Sequence, residues 1–198
     1  MLTLRTLAKF AAVLTVSATM LADGHAAGVS GQARAFGKSG PLKHITVSRT
    51  TLAPFSYVMF CRDNPRDCAG VTHERTIRWD KRSKNLVERV NRTVNRSMQP
   101  RNETADVWRA AENSGDCEDF ALTKRRQLIR AGVPASSLRM AVAVTRNGEG
   151  HAVLVVRTTA GDLVLDNRTN SLRKWHQTDL AWVKIASATN PRIWYAMK

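Results

Sequence analysis

The fold is decided by residues 115–166, which read GDCEDFALTKRRQLIRAGVPASSLRMAVAVTRNGEGHAVLVVRTTAGDLVLD. A helix is predicted over 117–131, because Gly132 followed by Pro134 is typical of a helix end. Behind this helix, apolar runs separated by turn residues predict three strands, over 138–145, 151–157 and 162–166. A helix that precedes an antiparallel meander predicts an α+β domain.

Segments on both sides of this stretch predict further elements. Upstream, residues 83–98 place four apolar side chains on one stripe of a helix: Leu86, Val87, Val90 and Val94. Downstream, short apolar runs predict edge strands over 181–185 and 193–196. The basic residues of the helix over 117–131 fall on its polar side and predict a solvent-exposed face: Lys124, Arg125, Arg126 and Arg130.

The remaining segments have weaker patterns. Residues 45–75 mix turn residues with aromatic residues and are interpreted as an irregular packed segment, and residues 106–112 as a short helical turn. Residues 27–44 are rich in Gly, Ser and Ala and predict a flexible lead-in to a domain over 45–198. A chain of 198 residues has room for one such domain.

The N-terminus has the pattern of a secretory signal peptide over residues 1–26. Arg5 and Lys9 precede an apolar stretch over 10–21, and small residues around His25 form a cleavage site. The apolar stretch is shorter than the roughly 20 residues of a membrane span. We therefore expect a periplasmic or secreted protein, with an uncleaved N-terminal anchor as the alternative.

The charge balance is strongly basic. Lys and Arg number 31 against 16 Asp and Glu, which gives a formal net charge of +15. Such a surface attracts polyanions, so nucleic acid, anionic lipid and acidic proteins are all partners to consider. Because the N-terminus predicts export, no nucleic-acid partner is expected.

The three cysteines divide into a pair and a single thiol. In an oxidising compartment Cys61 and Cys68 can close a small loop, because Asn64 and Pro65 form a turn between them. Cys117 is left at the first turn of a predicted helix, where backbone amides and the helix dipole stabilise a thiolate. The alternative interpretation of Cys117 is a small buried hydrophobe.

A cysteine nucleophile needs a base, which is itself oriented by a third group. His151 begins an apolar strand, and Asp166 ends the next one. A tight turn over 158–161 places Arg168 opposite His151 and makes Asp166 its diagonal neighbour on the same face. This register permits a Cys117–His151–Asp166 triad.

These motifs resemble the bacterial transglutaminase-like cysteine peptidases, whose best understood branch is the LapG-type periplasmic adhesin proteases. The resemblance runs from about residue 50 to the end of the chain and is carried by Trp108, GDCEDFA over 115–121, HAVL over 151–154 and GDLVLDN over 161–167. It implies a papain/transglutaminase-like α+β core, with the nucleophile helix packed on an antiparallel sheet. It also implies Cys117 as nucleophile, His151 as general base and then acid, and Asp166 as the orienting residue.

Three acidic residues flank the cysteine: Asp116, Glu118 and Asp119. From the residues alone, they complement the dipole at a helix N-terminus. The resemblance implies calcium, since acidic residues beside the cysteine support calcium binding in LapG-type proteases. The matching positions are Asp116 and Glu118, with Asp119 as a further ligand. No organic cofactor is expected.

The sequence thus predicts an exported thiol peptidase that hydrolyses a protein substrate through an acyl-enzyme. The backbone amide of Cys117 would donate to the oxyanion, and either Asn113 or the Trp108 side chain is a candidate for the second donor. The resemblance implies a surface adhesin as the substrate and a membrane receptor as the regulator. Two alternatives remain: transglutaminase-type acyl transfer, and a non-catalytic basic module that binds protein.

Overall fold

The computed structural model describes residues 43–101, 106–111 and 113–198. The predicted signal peptide lies outside the described residues, as does most of the predicted lead-in. Within the described part, no helix is long and apolar enough to cross a membrane. The elements in chain order are β1 Val47–Thr51, α1 Phe55–Asp63, α2 Lys81–Ser97, β2 Gln99–Pro100, β3 Ser114–Gly115, α3 Cys117–Arg130, β4 Leu138–Val144, β5 Gly150–Thr158, β6 Gly161–Leu165, β7 Arg173–Lys174, β8 Ala181–Ala186 and β9 Trp194–Met197.

Seven strands form one sheet in the order β1-β9-β8-β4-β5-β6-β7, in which all neighbours are antiparallel. β4 and β5 pair along their length, from Leu138 opposite Val156 to Val144 opposite Gly150. β2 and β3 form a separate short parallel pair. The predicted α+β class is confirmed, because α1, α2 and α3 precede the antiparallel strands β4–β9 in the chain.

Alternate residues of β5 face opposite sides of the sheet. Leu154 and Val156 pack in a core that the helices complete with Val87, Val94, Phe120 and Leu128. Val153 and Val155 pack on the other face, in a cluster that contains Ile185, Trp175 and Trp182. The helices therefore cover one face of the sheet, and aromatic residues that follow β7 in the chain cover the other.

Helix α2 has the predicted buried stripe and also holds the loop that follows β6. Its N-terminus is a capping box, in which the Ser83 amide donates to Asp80 Oδ1 at 3.0 Å. Asn91 is buried beside the valine stripe, and its Nδ2 donates to the carbonyl of Thr169 at 3.3 Å. Asn95 Nδ2 donates to the carbonyl of Asp166 at 3.1 Å.

The prediction of an exposed basic face on α3 is wrong at Lys124 and Arg125. Their side chains are 0% and 3% exposed, whereas Arg130 is exposed as predicted. Because α3 packs against both α2 and β5, nearly its whole circumference is covered. The Arg125 guanidinium is compensated by two carbonyl oxygens, those of Asp67 at 2.7 Å and Leu138 at 3.2 Å.

Two other segments differ from the sequence expectation. Residues 45–75, interpreted as irregular, contain strand β1 and helix α1, which buries Tyr57 and Phe60. Residues 106–111 form no helical turn. There the backbone amide of Arg109 donates to Asp119 Oδ1 on α3 at 2.8 Å, instead of to a carbonyl within a helical turn.

The last two residues of the predicted lead-in, Lys43 and His44, lie within the described part of the chain and contact β6. The carbonyl of Lys43 accepts a hydrogen bond from the Asp162 amide at 3.0 Å. His44 Nδ1 lies 3.0 Å from Asp162 Oδ1, and the Ile45 amide donates to Asp162 Oδ2 at 2.8 Å. Residues 43 and 44, at the end of the predicted lead-in, therefore pair with β6.

Cys61 and Cys68 are joined by a disulfide, and Cys117 is a free thiol. Both bridged cysteines are buried in the helix-side core. The loop that the disulfide closes is fixed to α3 by an ion pair between Arg126 Nη2 and Asp67 Oδ2 at 2.6 Å.

Replacing both bridged cysteines, as Cys61→Ser with Cys68→Ser, should lower the free energy of unfolding by about 2–3 kcal/mol, because the short loop no longer restricts the unfolded chain. Urea denaturation measures this difference. Thiol titration of the denatured, unreduced wild type should find one thiol, that of Cys117. A count of three would contradict the disulfide.

Replacing Lys124 by Met should stabilise the protein near pH 7 by about 1–4 kcal/mol, because an uncharged side chain then fills a buried site. Within the described residues the Lys124 ammonium has no hydrogen-bond partner, and burial lowers its pKa to about 7, against the attraction of Asp166.

The sign of the pH dependence follows from this lowered pKa. Between about pH 7 and the ordinary value of 10.5, the unfolded chain holds the Lys124 proton and the folded chain does not. Rising pH therefore stabilises wild type across this window, and the advantage of Lys124→Met should shrink. Urea denaturation at both ends of the window measures it, and an equal advantage at both would contradict the buried charge.

Candidate active site

A cavity of about 580 Å³ opens at the N-terminus of α3. Cys117, His151 and Ala152 line it together with Trp108 and three acidic residues, which are Asp106, Asp116 and Glu118. The cavity thus collects carboxylates in a chain whose formal net charge is +15. It holds two of the three predicted catalytic side chains and two of the three predicted metal ligands.

Cys117 is placed by the junction of α3 and β5. It is the first residue of α3, and the preceding Asp116 is the N-cap residue. Its Sγ accepts a hydrogen bond from the backbone amide of Ala152 on β5 at 3.3 Å. The sulfur therefore lies at a helix N-terminus and against the strand that carries His151.

His151 and Asp166 form a buried pair at the ends of β5 and β6. His151 Nε2 lies 2.9 Å from Asp166 Oδ1, and the two residues are 7% and 5% exposed. The hairpin has the predicted register, since Leu154 is opposite Leu165. Because Asp166 engages Nε2, Nδ1 is the ring nitrogen left for proton exchange.

The charges around Cys117 favour the protonated thiol. Burial raises the pKa of Cys117 to about 12; the Ala152 amide opposes this rise, and the carboxylates of Glu118 and Asp116 add to it. Burial also raises the pKa of Glu118 to about 8, and Glu118 Oε2 accepts the thiol hydrogen bond at 3.1 Å. A positive charge near these carboxylates would favour the thiolate.

The Asp166 carboxyl, in contrast to that of Glu118, has a lowered pKa and stays ionised. Burial alone would raise the pKa of its carboxyl, but hydrogen bonds from His151 and Arg168 hold that pKa well below its usual range. Asp166 therefore presents a negative charge to His151 throughout the neutral range.

The predicted metal ligands separate into two groups. Asp116 and Glu118 line the cavity, whereas Asp119 is fully buried and is bonded to Arg109, with Oδ2 also 3.7 Å from Arg109 Nε. Among the described residues, no three His, Cys, Asp or Glu side chains gather into a metal-binding group. Asp116 and Glu118 fit a hard cation as two of the six to eight oxygen ligands that calcium takes.

The two candidates for the second oxyanion donor are not presented to the cavity. Trp108 lines it, but the indole Nε1–H donates to Asp106 Oδ1 at 2.9 Å. Asn113 is exposed and does not belong to the cavity lining.

Sequence reasoning missed the residues that hold Asp166 in place. Asn95 bonds to its carbonyl, and Arg168 bonds to its carboxylate. A signal for Arg168 was present, because the predicted register placed it opposite His151. Asn95 directly follows Val94 of the apolar stripe, but only the fold brings its amide to the carbonyl of Asp166.

Comparisons with known proteins give a family and related structures. The model of the family described as bacterial transglutaminase-like cysteine proteinase matches residues 47–198. Calcium-bound LapG of Legionella pneumophila is 30% identical with a TM-score of 0.51, over 58% of this chain and 69% of that one. EGTA-treated LapG of the same organism is 28% identical with a TM-score of 0.52, over 59% and 68%. No curated protein sequence matches the chain.

Proposed function

The chain belongs to the family of bacterial transglutaminase-like cysteine proteinases, and we propose that it hydrolyses peptide bonds of a protein substrate with Cys117, His151 and Asp166 as its catalytic triad. The observation that carries this proposal is the buried His151–Asp166 pair, which lies beside a free cysteine at a helix N-terminus. Cys117 and His151 line the same cavity, so both can reach one substrate carbonyl.

In the proposed reaction, Nδ1 of His151 takes the Cys117 proton, and the ionised Asp166 stabilises the imidazolium through Nε2. The thiolate adds to the peptide carbonyl, and the Cys117 backbone amide donates to the oxyanion. The imidazolium then protonates the leaving amine as the carbon–nitrogen bond breaks, which leaves a thioester. Water, deprotonated by His151, hydrolyses the thioester and restores the thiol.

We further propose that Asp116 and Glu118 contribute to a calcium site. Two observations support this: a related structure is calcium-bound LapG, and both carboxylates line the cavity of this chain. Calcium there would supply positive charge beside the thiol. Burial raises the pKa of Glu118 to about 8, and a cation beside its carboxylate would favour the ionised form.

We also propose that the protein is exported, with a surface adhesin as substrate and a membrane receptor as regulator. The signal-peptide pattern and the disulfide support export, since disulfides persist in oxidising compartments. The adhesin and the receptor rest on the resemblance to LapG-type proteases. Comparing the surface proteins of cells that carry wild type with those of cells that carry Cys117→Ala would identify the substrate.

Cys117→Ala should abolish hydrolysis of fluorophore-labelled casein, and Asp166→Asn should reduce kcat by about 10⁴-fold, because His151 then takes the wrong tautomer. The control is His176→Gln, a histidine outside the cavity lining, which should retain activity. Hydrolysis by Cys117→Ala would contradict the proposed nucleophile. Incorporation of an added amine in preference to hydrolysis would identify the acyl-transfer alternative.

Excess chelator should lower the melting temperature and the rate at which iodoacetamide labels Cys117, and added calcium should restore both. Calcium at 100 times its Kd stabilises the folded state by about 2.7 kcal/mol, whereas acids that only complement a helix dipole contribute about 0.3–1 kcal/mol each. Asp116→Asn and Glu118→Gln should each remove the response.

The matched control for calcium is Asp106→Asn, because Asp106 lines the same cavity but its carboxylate bonds to Ser56 and Trp108. This variant should keep the full calcium response. A wild type whose melting curve and labelling rate ignore the chelator would overturn the calcium proposal and leave the proposed triad untouched.

A further inference from the structure

We propose that Arg168 is a positioning residue that holds the Asp166 carboxylate against His151 and is itself anchored by Asp179. This inference rests on the proposed function of the His151–Asp166 pair. Arg168 does not line the cavity that contains Cys117, so it acts on the reaction through Asp166 and not by contact with substrate.

The Arg168 guanidinium occupies Oδ2 of Asp166, and Oδ1 is shared by His151 and the Arg168 backbone amide. The guanidinium donates twice to Oδ2, from Nε at 3.0 Å and from Nη2 at 2.8 Å. Oδ1 accepts the Arg168 backbone amide at 2.9 Å and faces His151 Nε2 at the same distance. A carboxylate has about four lone-pair sites, so these contacts together fix its orientation.

Asp179 holds the other edge of the guanidinium. Arg168 Nη1 donates to Asp179 Oδ2 at 3.2 Å, and Nη2 donates to Asp179 Oδ1 at 2.8 Å. Asp179 lies just before β8, whereas Asp166 directly follows β6. The planar fork of arginine suits this two-sided contact, which the single ammonium of lysine cannot reproduce.

Side chain and backbone of Asp166 are thus fixed by different parts of the fold. Asn95 on α2 holds the Asp166 carbonyl, but nothing in that bond limits rotation of the carboxylate. The cluster of Asp166, Arg168 and Asp179 carries one net negative charge, which balances one positive charge on His151. Loss of the Arg168 guanidinium would therefore leave the carboxylate held only at Oδ1, by His151 and the Arg168 backbone amide, and Oδ2 could rotate about that oxygen.

The test compares Arg168→Met with Arg173→Met. Arg168 and Arg173 both line a second cavity, of about 180 Å³, whose lining includes Asp166, but Arg173 makes no side-chain bond to Asp166. With labelled casein as substrate, Arg168→Met should lower kcat about 10- to 100-fold with KM unchanged, as expected for loss of a charged hydrogen bond that acts in the chemical step. Arg173→Met should keep the wild-type kcat.

A proton NMR measurement separates positioning from a general structural role. In wild type, the Nε2–H of His151 should give a downfield resonance that exchanges slowly with water, assigned by its loss in His151→Gln. Arg168→Met should broaden or remove this resonance, and Arg173→Met should leave it unchanged. Arg168→Lys and Asp179→Asn should each broaden this resonance only in part. Arg168→Lys keeps a positive charge beside Asp166, and Asp179→Asn keeps the bonds from Arg168 to Asp166.

Two results would overturn the inference: wild-type kcat in Arg168→Met, or a loss of kcat with an unchanged His151 resonance. If Arg168→Met does not fold, Arg168→Lys and Asp179→Asn decide, and an unchanged resonance in both overturns it. Failure of the proposed function would give a different result. The wild type would then be inactive towards casein, but the His151 resonance would still be lost in Arg168→Met.

Discussion

The contact of α3 with β5 is the constraint on which the rest of the site depends. The first residue of the helix and the third residue of the strand are joined by the hydrogen bond from the Ala152 amide to Cys117 Sγ. Helix α3 is held in place by packing, since even Lys124, which the sequence predicts to face solvent, is fully buried. The position of the thiol is therefore set by the protein core, and the strand that bounds it also carries His151 as its second residue.

The elements that sequence predicts well are those whose pattern is local. The register of the β5–β6 hairpin follows from a tight turn and an alternation of period two, which leave one pairing that keeps Leu154 and Leu165 on the same face. Strand β1 could not be found in this way, because its partner β9 lies at the far end of the domain. Burial of Arg125 could not be predicted from sequence either, since the carbonyl oxygens that bind it come from the disulfide loop and from the start of β4.

The same reasoning explains which site residues were found. The three residues proposed for catalysis have distinct chemistry at recognisable positions, whereas Asn95 and Arg168 matter only through what the fold brings to them. Glu118 and Asp119 look equivalent in sequence, but successive helix residues point about 100° apart. One consequently lines the cavity, and the other turns inward to Arg109.

The pairing of β1 with β9 also has a consequence for how the chain reaches its native state. Val47 pairs with Met197, so the first strand of the sheet stays unpaired until the last one has been synthesised. Contacts between residues so distant in sequence form slowly. Completion of the sheet is therefore delayed until its last strand has been made. This topology suits a protein that crosses a membrane before it folds, as proposed for this one.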